Sequence, residues 1–563
     1  MNLTTRSRMG WWLASLLFLI GASPTLCAAD DTPEVQGDPV MTHVLAAELA
    51  ASDGDGQEAA KHYLQAALMS EEPGIAERAT RVALEAQAWQ YAGMAADRWT
   101  QLAPFRIDAR QTAVRTFLIA GDYEQAAWQL SRLLELTADT AWQGWPQVAN
   151  LVERANNAEK AEHLLQRLVE EQGASGNPYA LLAQSQAVAR SGDMARATTL
   201  AQQAVDAGAD ELPLHVWMGR LALTQGQQAE ALEAFRAAAK LDPDNAGTGF
   251  ALAELLAQQG EVDEAAEVLA ALPDTPANRF NRVVFASKNM DRAAAMELYG
   301  GFATMADADA TARAVAGAQS AELLGLNQDA IDWYTQLAGT EHDAVATRRR
   351  AVLMAQDGRL DEARALLQSA RNSGRVDVRL ETTLLEAQLL SDAKQYQEAI
   401  DLLGQGIDMA PDSVPLHYTR ALISVQAGDI ETAEADLRFV LDMDPNNPNA
   451  LNALGYTLAD RTDRLDEAET LINAAYALAP EEAAIIDSMG WIAFRRGRLE
   501  QAEQYLRRAF AMEQNAEIAA HLGEVLWAQG RKDDARAVWG EGAVIDPEDA
   551  ALIETRKRLD PPQ

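Results

Sequence analysis

The sequence predicts an all-α fold, a solenoid of about 14 to 15 helical hairpins wound into a right-handed superhelix. Three observations carry this. A pattern of small residues and turn residues returns about every 34 residues, prolines punctuate it at the same period, and the composition suits close-packed helices. Of 563 residues 48% are apolar but only 6% aromatic, so the apolar content is largely alanine and leucine.

The cleanest unit runs from Leu214 to Pro243, where Gly219 is followed twelve residues later by Ala231, and then by Phe235, Ala238 and Pro243. Gly219 and Ala231 lack bulk, so the two helices of a hairpin can approach where their axes cross. Gly226 sits at the turn between them, where a left-handed residue ends the first helix without steric cost. Pro243 stops the second helix. The same places are filled further on by Ala433 with Pro445, Gly455 with Ala468 and Pro480, Gly490 with Ala502, and Gly523 with Ala535 and Pro547. A turn residue five before an alanine recurs from Gly121/Ala126 to Gly530/Ala535, with Asn156 and Lys394 in the glycine place of two units. On these residues the chain resembles the tetratricopeptide-repeat family. The resemblance covers most of the chain and is specific, because several spacings agree at once.

The array is not uniform. Residues 42–180 read as degenerate repeats, 181–374 as central repeats, and 375–547 as well-matched C-terminal repeats. The stretch ALPDTPANRF disturbs the register near 272–295 and predicts a shortened helix pair. The loop DRTDRLDEA puts thirteen residues rather than twelve between Gly455 and Ala468, which enlarges that turn. Residues 548–563, beginning EDAALIETRKRL, form a capping helix and tail whose polar face closes the last hairpin.

At the other end Arg6 and Arg8 precede an apolar run from Trp11 to Ile20 and the segment GASPTLCAAD, so residues 1–29 read as a secretory signal. The expected destination is the periplasm of a Gram-negative bacterium. Residues 30–41 read as a flexible acidic leader. Two readings of Cys27, the chain's one cysteine, stand. It occupies the minus-three place of a cleavage site after Ala29, or it is lipidated and anchors the chain to the outer membrane. Leu26 and Pro24 fit the lipid signal poorly. That lipid is the membrane contact expected, since no later stretch is apolar enough to span.

With 47 basic against 84 acidic residues the formal charge is −37, which excludes nucleic acid as a partner. The acidity is either a solvated helical surface or a groove that steers a basic partner, and the second reading predicts a salt-dependent association rate. The seven histidines show no pair at metal-binding helical spacing, and no phosphate loop, nucleophile elbow or HExxH segment occurs. The expectation is therefore no catalytic, metal or cofactor-binding residue: the chain is read as a binder of proteins and not as an enzyme.

Binding belongs on the concave face lined by the first helix of each hairpin. In the C-terminal units the register places Asn452, Tyr456, Asp487, Trp491, Phe494, Glu524 and Trp527 there. Exposed aromatics would anchor a partner, whereas buried ones would pack on the neighbouring helix. The segments NALGYTLADRTDRLDEAETLI, IIDSMGWIAFRRGRLEQAEQYLRRAF and AAHLGEVLWAQGRKDDA are similar to the exported tetratricopeptide partner of the carboxyl-terminal processing protease. That resemblance implies an adaptor that activates the periplasmic protease and brings cell-wall hydrolases to it. The alternative is a structural scaffold for envelope biogenesis, in exopolysaccharide export or outer-membrane assembly.

Overall fold

The computed structural model describes residues 38–138, 141–372 and 376–561. The predicted signal, Cys27 and most of the acidic leader lie outside them. Among the described residues there are 31 α-helices, one 3-10 turn and no strand, in two compact units divided after Asp242.

The first unit opens with α1 (Pro39–Ser52), α2 (Gly56–Met69), α3 (Pro73–Glu85), α4 (Trp89–Leu102), α5 (Ile107–Ala120) and α6 (Tyr123–Leu136). It closes with α7 (Ala141–Glu153), α8 (Ala158–Glu171), α9 (Pro178–Ser191), α10 (Met194–Asp206), α11 (Leu212–Thr224) and α12 (Gln228–Leu241). The second begins with α13 (Ala246–Gln258), α14 (Val262–Ala271), α15 (Pro276–Asn289), α16 (Arg292–Gly300), α17 (Ala310–Leu323) and α18 (Asn327–Thr335). It continues through α19 (Asp343–Gln356), α20 (Leu360–Arg371), α21 (Val376–Asp392), α22 (Tyr396–Met409), α23 (Val414–Ala427) and α24 (Ile430–Met443). Last come α25 (Pro448–Arg461), α26 (Leu465–Leu478), α27 (Ala483–Arg495), α28 (Leu499–Met512), α29 (Ala516–Ala528), α30 (Lys532–Ile545) and α31 (Ala550–Leu559). Helices pack on their sequence neighbours within each unit, and first helices stack on first helices, as α25 on α27 and α29 on α31. The fold is the hairpin solenoid that the period requires.

Glycine sets the hairpin crossings. A Cβ on Gly219 would stand 2.6 Å from Phe235, one on Gly490 2.5 Å from Leu506, and one on Gly317 2.7 Å from Trp333. In each pair the bulky residue lies sixteen positions downstream. Gly455 instead meets Ile472, seventeen downstream, because the DRTDRLDEA loop carries one more residue. Ala231, Ala433, Ala468, Ala502 and Ala535 are fully buried beside these crossings. Pro243, Pro445, Pro480 and Pro547 sit in the turns after second helices. The residue before each holds φ near −139°, as the steric demand of proline on its predecessor requires.

Turns inside hairpins close with a left-handed residue. At Gly226 φ is +71°, and the Gln227 amide donates to the Ala222 carbonyl at 2.8 Å. Lys394 adopts φ +61° in the same role, with the Gln395 amide donating to Leu390 O at 2.8 Å. Here a side chain is forced into a conformation that glycine holds freely.

The predicted irregular segment is a run of short second helices. Helix α14 has ten residues and α16 nine, the latter continued by a 3-10 turn over Gly301–Thr304 that inserts the fully buried Phe302. The buried Arg282 guanidinium donates to Leu269 O at 2.8 Å and so caps the shortened α14. One boundary needs correction: α1 starts at Pro39, inside the segment read as leader to residue 41, because the Asp38 carboxylate accepts the Val40 amide and Pro39 is preset for a first helical turn.

Gly490→Leu is expected to destabilise the second unit by about 1 to 3 kcal/mol, since the added atoms meet Leu506 and the Ala502 carbonyl. Lys394→Gly should stabilise it by about 1 kcal/mol through relief of the left-handed strain. Urea unfolding curves measure both, and unchanged midpoints would contradict the crossing and turn geometry.

Candidate protein-binding surfaces

The seven residues assigned to the concave face fall on first helices, as the register places them, but most do not present a free surface. Asp487 and Trp491 on α27 and Glu524 on α29 are buried, with Trp491 only 7% exposed. Tyr456, Phe494, Asn452 and Trp527 are half-buried. Trp491 and Phe494 therefore pack within the protein: their rings lie 5.2 Å apart, and Trp491 stacks on His521 at 4.3 Å. This corrects the anchor reading of Trp491, because the inner face is tight enough here for successive first helices to cover one another's aromatics.

What these residues build is a polar cluster around His521. Its Nδ1 lies 3.0 Å from both Asp487 oxygens, and its Nε2 lies 3.2 Å from the Tyr456 hydroxyl. Tyr456 in turn donates to Glu517 Oε1 at 3.1 Å. Burial alone would pull the imidazole down. The Asp487 carboxylate and its hydrogen bond, with Glu517 and Asp460 adding, outweigh that and hold it up to about 9. The ring is thus an imidazolium near neutral pH, and both nitrogens donate. Burial also raises the Tyr456 phenol, with Glu517 and Asp487 adding to it. The crowding of protein around Glu517, at the open edge, raises its carboxyl against the opposing pull of His521. Tyr456 reaches past α27 to α29, so the cluster ties three first helices together. An enclosed imidazolium bonded at both nitrogens serves as an ion-pair anchor and cannot accept a proton.

Further along, Glu524 accepts from Arg558 at 2.6 Å and joins α29 to the closing helix α31. Trp527 leans on Trp539 at 5.6 Å, beneath Lys532 and Arg536 at 4.7 and 5.5 Å from its ring centre. Asn452 Oδ1 is buried with no hydrogen-bond partner among the described residues.

The sequence reading gave His521 no role, although the signal was there: Asp487 and His521 are 34 residues apart, one period, and so occupy the same place on successive first helices. Glu524 and Arg558 share that spacing. His43 and His62 also meet, with Nδ1 atoms 3.1 Å apart across the first hairpin. Among the described residues no group of three or more His, Cys, Asp or Glu side chains is arranged to hold a metal, and no helix is long and apolar enough to cross a membrane.

An open cavity also lies in the first unit. A pocket of about 290 Å³ is bounded by α7, α9 and α11, the first helices of three successive hairpins, with α8 behind them. Val152, Leu165, Ala183 and Leu221 form its buried floor. Trp217 forms a wall, held by its Nε1 donating to Ser185 Oγ at 2.8 Å, and Ser185 donates to Ala197 O at 2.7 Å. Arg220 lies 5.8 Å over the Trp217 ring, and neither it nor Glu153 at the rim makes an ion pair among the described residues. An apolar floor, a fixed aromatic wall and two uncommitted charges suit the side chains of a bound polypeptide. The period that located the hairpins did not mark this pocket, because Trp217 and Arg220, which shape it, stand outside the repeated small-residue and turn positions.

Tetratricopeptide-repeat family models match residues 222–284, 344–369, 418–483 and 488–550. Over 536 residues the chain is 33% identical to a TPR repeat-containing protein of Pseudomonas aeruginosa, covering 91% of this chain and 90% of that protein. A likeness of 30% over 113 residues joins 20% of this chain to 11% of bacteriophage adsorption protein A of Escherichia coli. Among solved structures, a tetratricopeptide repeat protein from Parabacteroides merdae aligns with 44% of this chain and 98% of its own length, at 15% identity and a TM-score of 0.37.

The His521 pair makes stability depend on pH. Its folded value of about 9 lies above the ordinary histidine value, so its contribution is complete below about pH 6.5 and is lost as pH rises through about 9. Between those limits the unfolding free energy should fall by up to about 1.4 kcal/mol per pH unit, and His521→Gln should remove that slope. Trp491→Ala is expected to cost about 3 to 5 kcal/mol of stability, as a core truncation does. Unaltered urea unfolding of that variant would return Trp491 to the surface.

Proposed function

The chain belongs to the tetratricopeptide-repeat family, and on that premise we propose that it is an exported, non-catalytic adaptor for a periplasmic carboxyl-terminal processing protease. It activates the protease and delivers cell-wall hydrolases to it. That the chain is a protein-interaction scaffold follows from the family and the hairpin array.

The observation that carries binding is the pocket under Trp217 and Arg220, an open cavity with an apolar floor and a polar rim on the first-helix face of the first unit. The C-terminal segments containing Gly455, Gly490 and Gly523 support the identity of the partner through their resemblance to the protease-partner group. The mechanism needs no chemical group. One set of hairpins holds the protease and another its substrate, so the second encounter becomes intramolecular and is governed by effective concentration. The formal charge of −37 adds steering toward basic partner surfaces.

A pull-down from envelope extract with the full chain should recover a processing protease, and deletion of the gene should stabilise peptidoglycan hydrolases. Trp217→Ala should weaken capture about thirtyfold while leaving far-ultraviolet circular dichroism unchanged, as loss of a buried aromatic anchor does. Recovery of polysaccharide-export or outer-membrane assembly components without any protease would replace the adaptor reading with the scaffold one.

A further inference from the structure

Helix α19 carries three arginines in a row, and they fare differently. Arg348 is bound by Glu381 and Arg349 by Glu322, whereas Arg350 makes no hydrogen bond or ion pair among the described residues. Its Nε is buried without an acceptor. Burial lowers the guanidinium, and Asp343, which pulls the other way, does not reach it. The Asp343 carboxylate instead accepts the Gly339 amide at 3.0 Å and faces the Thr347 hydroxyl at 3.4 Å. Glu386 on the neighbouring α21 is paired with Arg364 and Arg371, at 3.2 and 2.6 Å. A desolvated charged donor with no acceptor is costly, and this one stands in a chain with 84 acidic residues.

The hairpin of α23 and α24 shows what an arginine at this place takes as its partner. Seventy residues on, Arg350, Ala351, Gly358, Ala363 and Leu367 correspond to Arg420, Ala421, Gly428, Ala433 and Leu437. Both alanine pairs are fully buried and both glycines are left-handed, so the two hairpins share one register. Arg420 donates twice to the buried Asp436, at 2.7 and 2.8 Å, and Asp436 raises it. The residue that corresponds to Asp436 is Leu366. Where the internal carboxylate would stand, Arg350 and Leu366 line a pocket of about 750 Å³ between α19, α20 and α21. We infer that this pocket receives a carboxylate from a bound polypeptide, an aspartate or glutamate side chain that takes the place on Arg350 that Asp436 has on Arg420. The inference rests on the protein-interaction reading and on no part of the protease one. Asp343 and Glu381 also line the pocket, and Glu341 is exposed at its edge. A lone acid in a neutral or basic segment therefore fits, and a run of acids is repelled.

The test presents the immobilised full chain with a library of N-acetylated, C-amidated nonapeptides whose central residue is Asp, Glu, Asn or Gln among neutral residues. Asp and Glu are expected to be enriched about tenfold over their amides, as one charged hydrogen-bonded pair provides. Arg350→Gln should abolish that preference with unchanged circular dichroism. Leu366→Asp rebuilds the pair seen at Arg420 and should abolish it too, by filling the site from within. In urea unfolding, Leu366→Asp should exceed Leu366→Asn in stability only while Arg350 is present. Absence of any preference for acids in the full chain overturns the inference, as does a preference that survives Arg350→Gln. Enrichment confined to peptides with a free C-terminal carboxylate and a central Gln overturns it in favour of terminal capture. A preference that appears only in Glu341→Gln overturns it as well, since that side chain would then be the partner of Arg350.

Discussion

The structure depends on how closely the two helices of a hairpin can cross. Gly219, Gly317, Gly455 and Gly490 give up a side chain so that Phe235, Trp333, Ile472 and Leu506 can lie directly on the opposing backbone. The contact removes large apolar surface from water at the one place where a Cβ would prevent it. Because a hairpin cannot bury its apolar face alone, it must stack on the next, and the close crossing fixes the angle at which it does so. Gly523 takes this furthest: a Cβ there would fall 2.0 Å from Trp539 Nε1, and the ring it accommodates is the largest fully buried side chain among the described residues.

Stacking first helices on first helices has a second consequence on the inner side. Groups that recur at the period meet, and opposite charges one period apart become ion pairs between hairpins. Asp487 with His521 and Glu524 with Arg558 are of this kind. His417 and Asp436 show the same economy inside a hairpin: the ring nitrogen lies 2.6 Å from the carboxylate, which also accepts two hydrogen bonds from Arg420. In the last hairpins the inner face is thus closed by its own side chains. In the first unit alanines at the corresponding helix faces leave room, and the Trp217 pocket opens. Free space along such an array is set by the size of the residues on the first helices, so binding capacity varies from hairpin to hairpin although the backbone repeats.

The hairpin array was legible in the sequence because its determinants are local and periodic. A glycine, an alanine twelve on and a proline after the second helix each act within one unit, and repetition makes the pattern stand out from chance. Lys394 and the DRTDRLDEA loop could be read for the same reason, as departures from a known spacing. The site was legible only in part. Register put Tyr456, Asp487, Trp491 and Glu524 on the correct helices, but whether a side chain on an inner face is open or covered depends on the neighbour one or two periods away. His521 stands 34 residues from Asp487 and 65 from Tyr456, and it turned an apparent surface into a packed cluster.

The sequence by itself determined the unit: two helices, a left-handed turn, a close crossing and a stop, each enforced by sterics within about one repeat. Tertiary structure alone decided what the units expose. Burial is a property of stacked neighbours, so only the packed array could bury Trp491, bare the stripe of Met41, Leu45 and Leu49, and open a cavity beside Trp217.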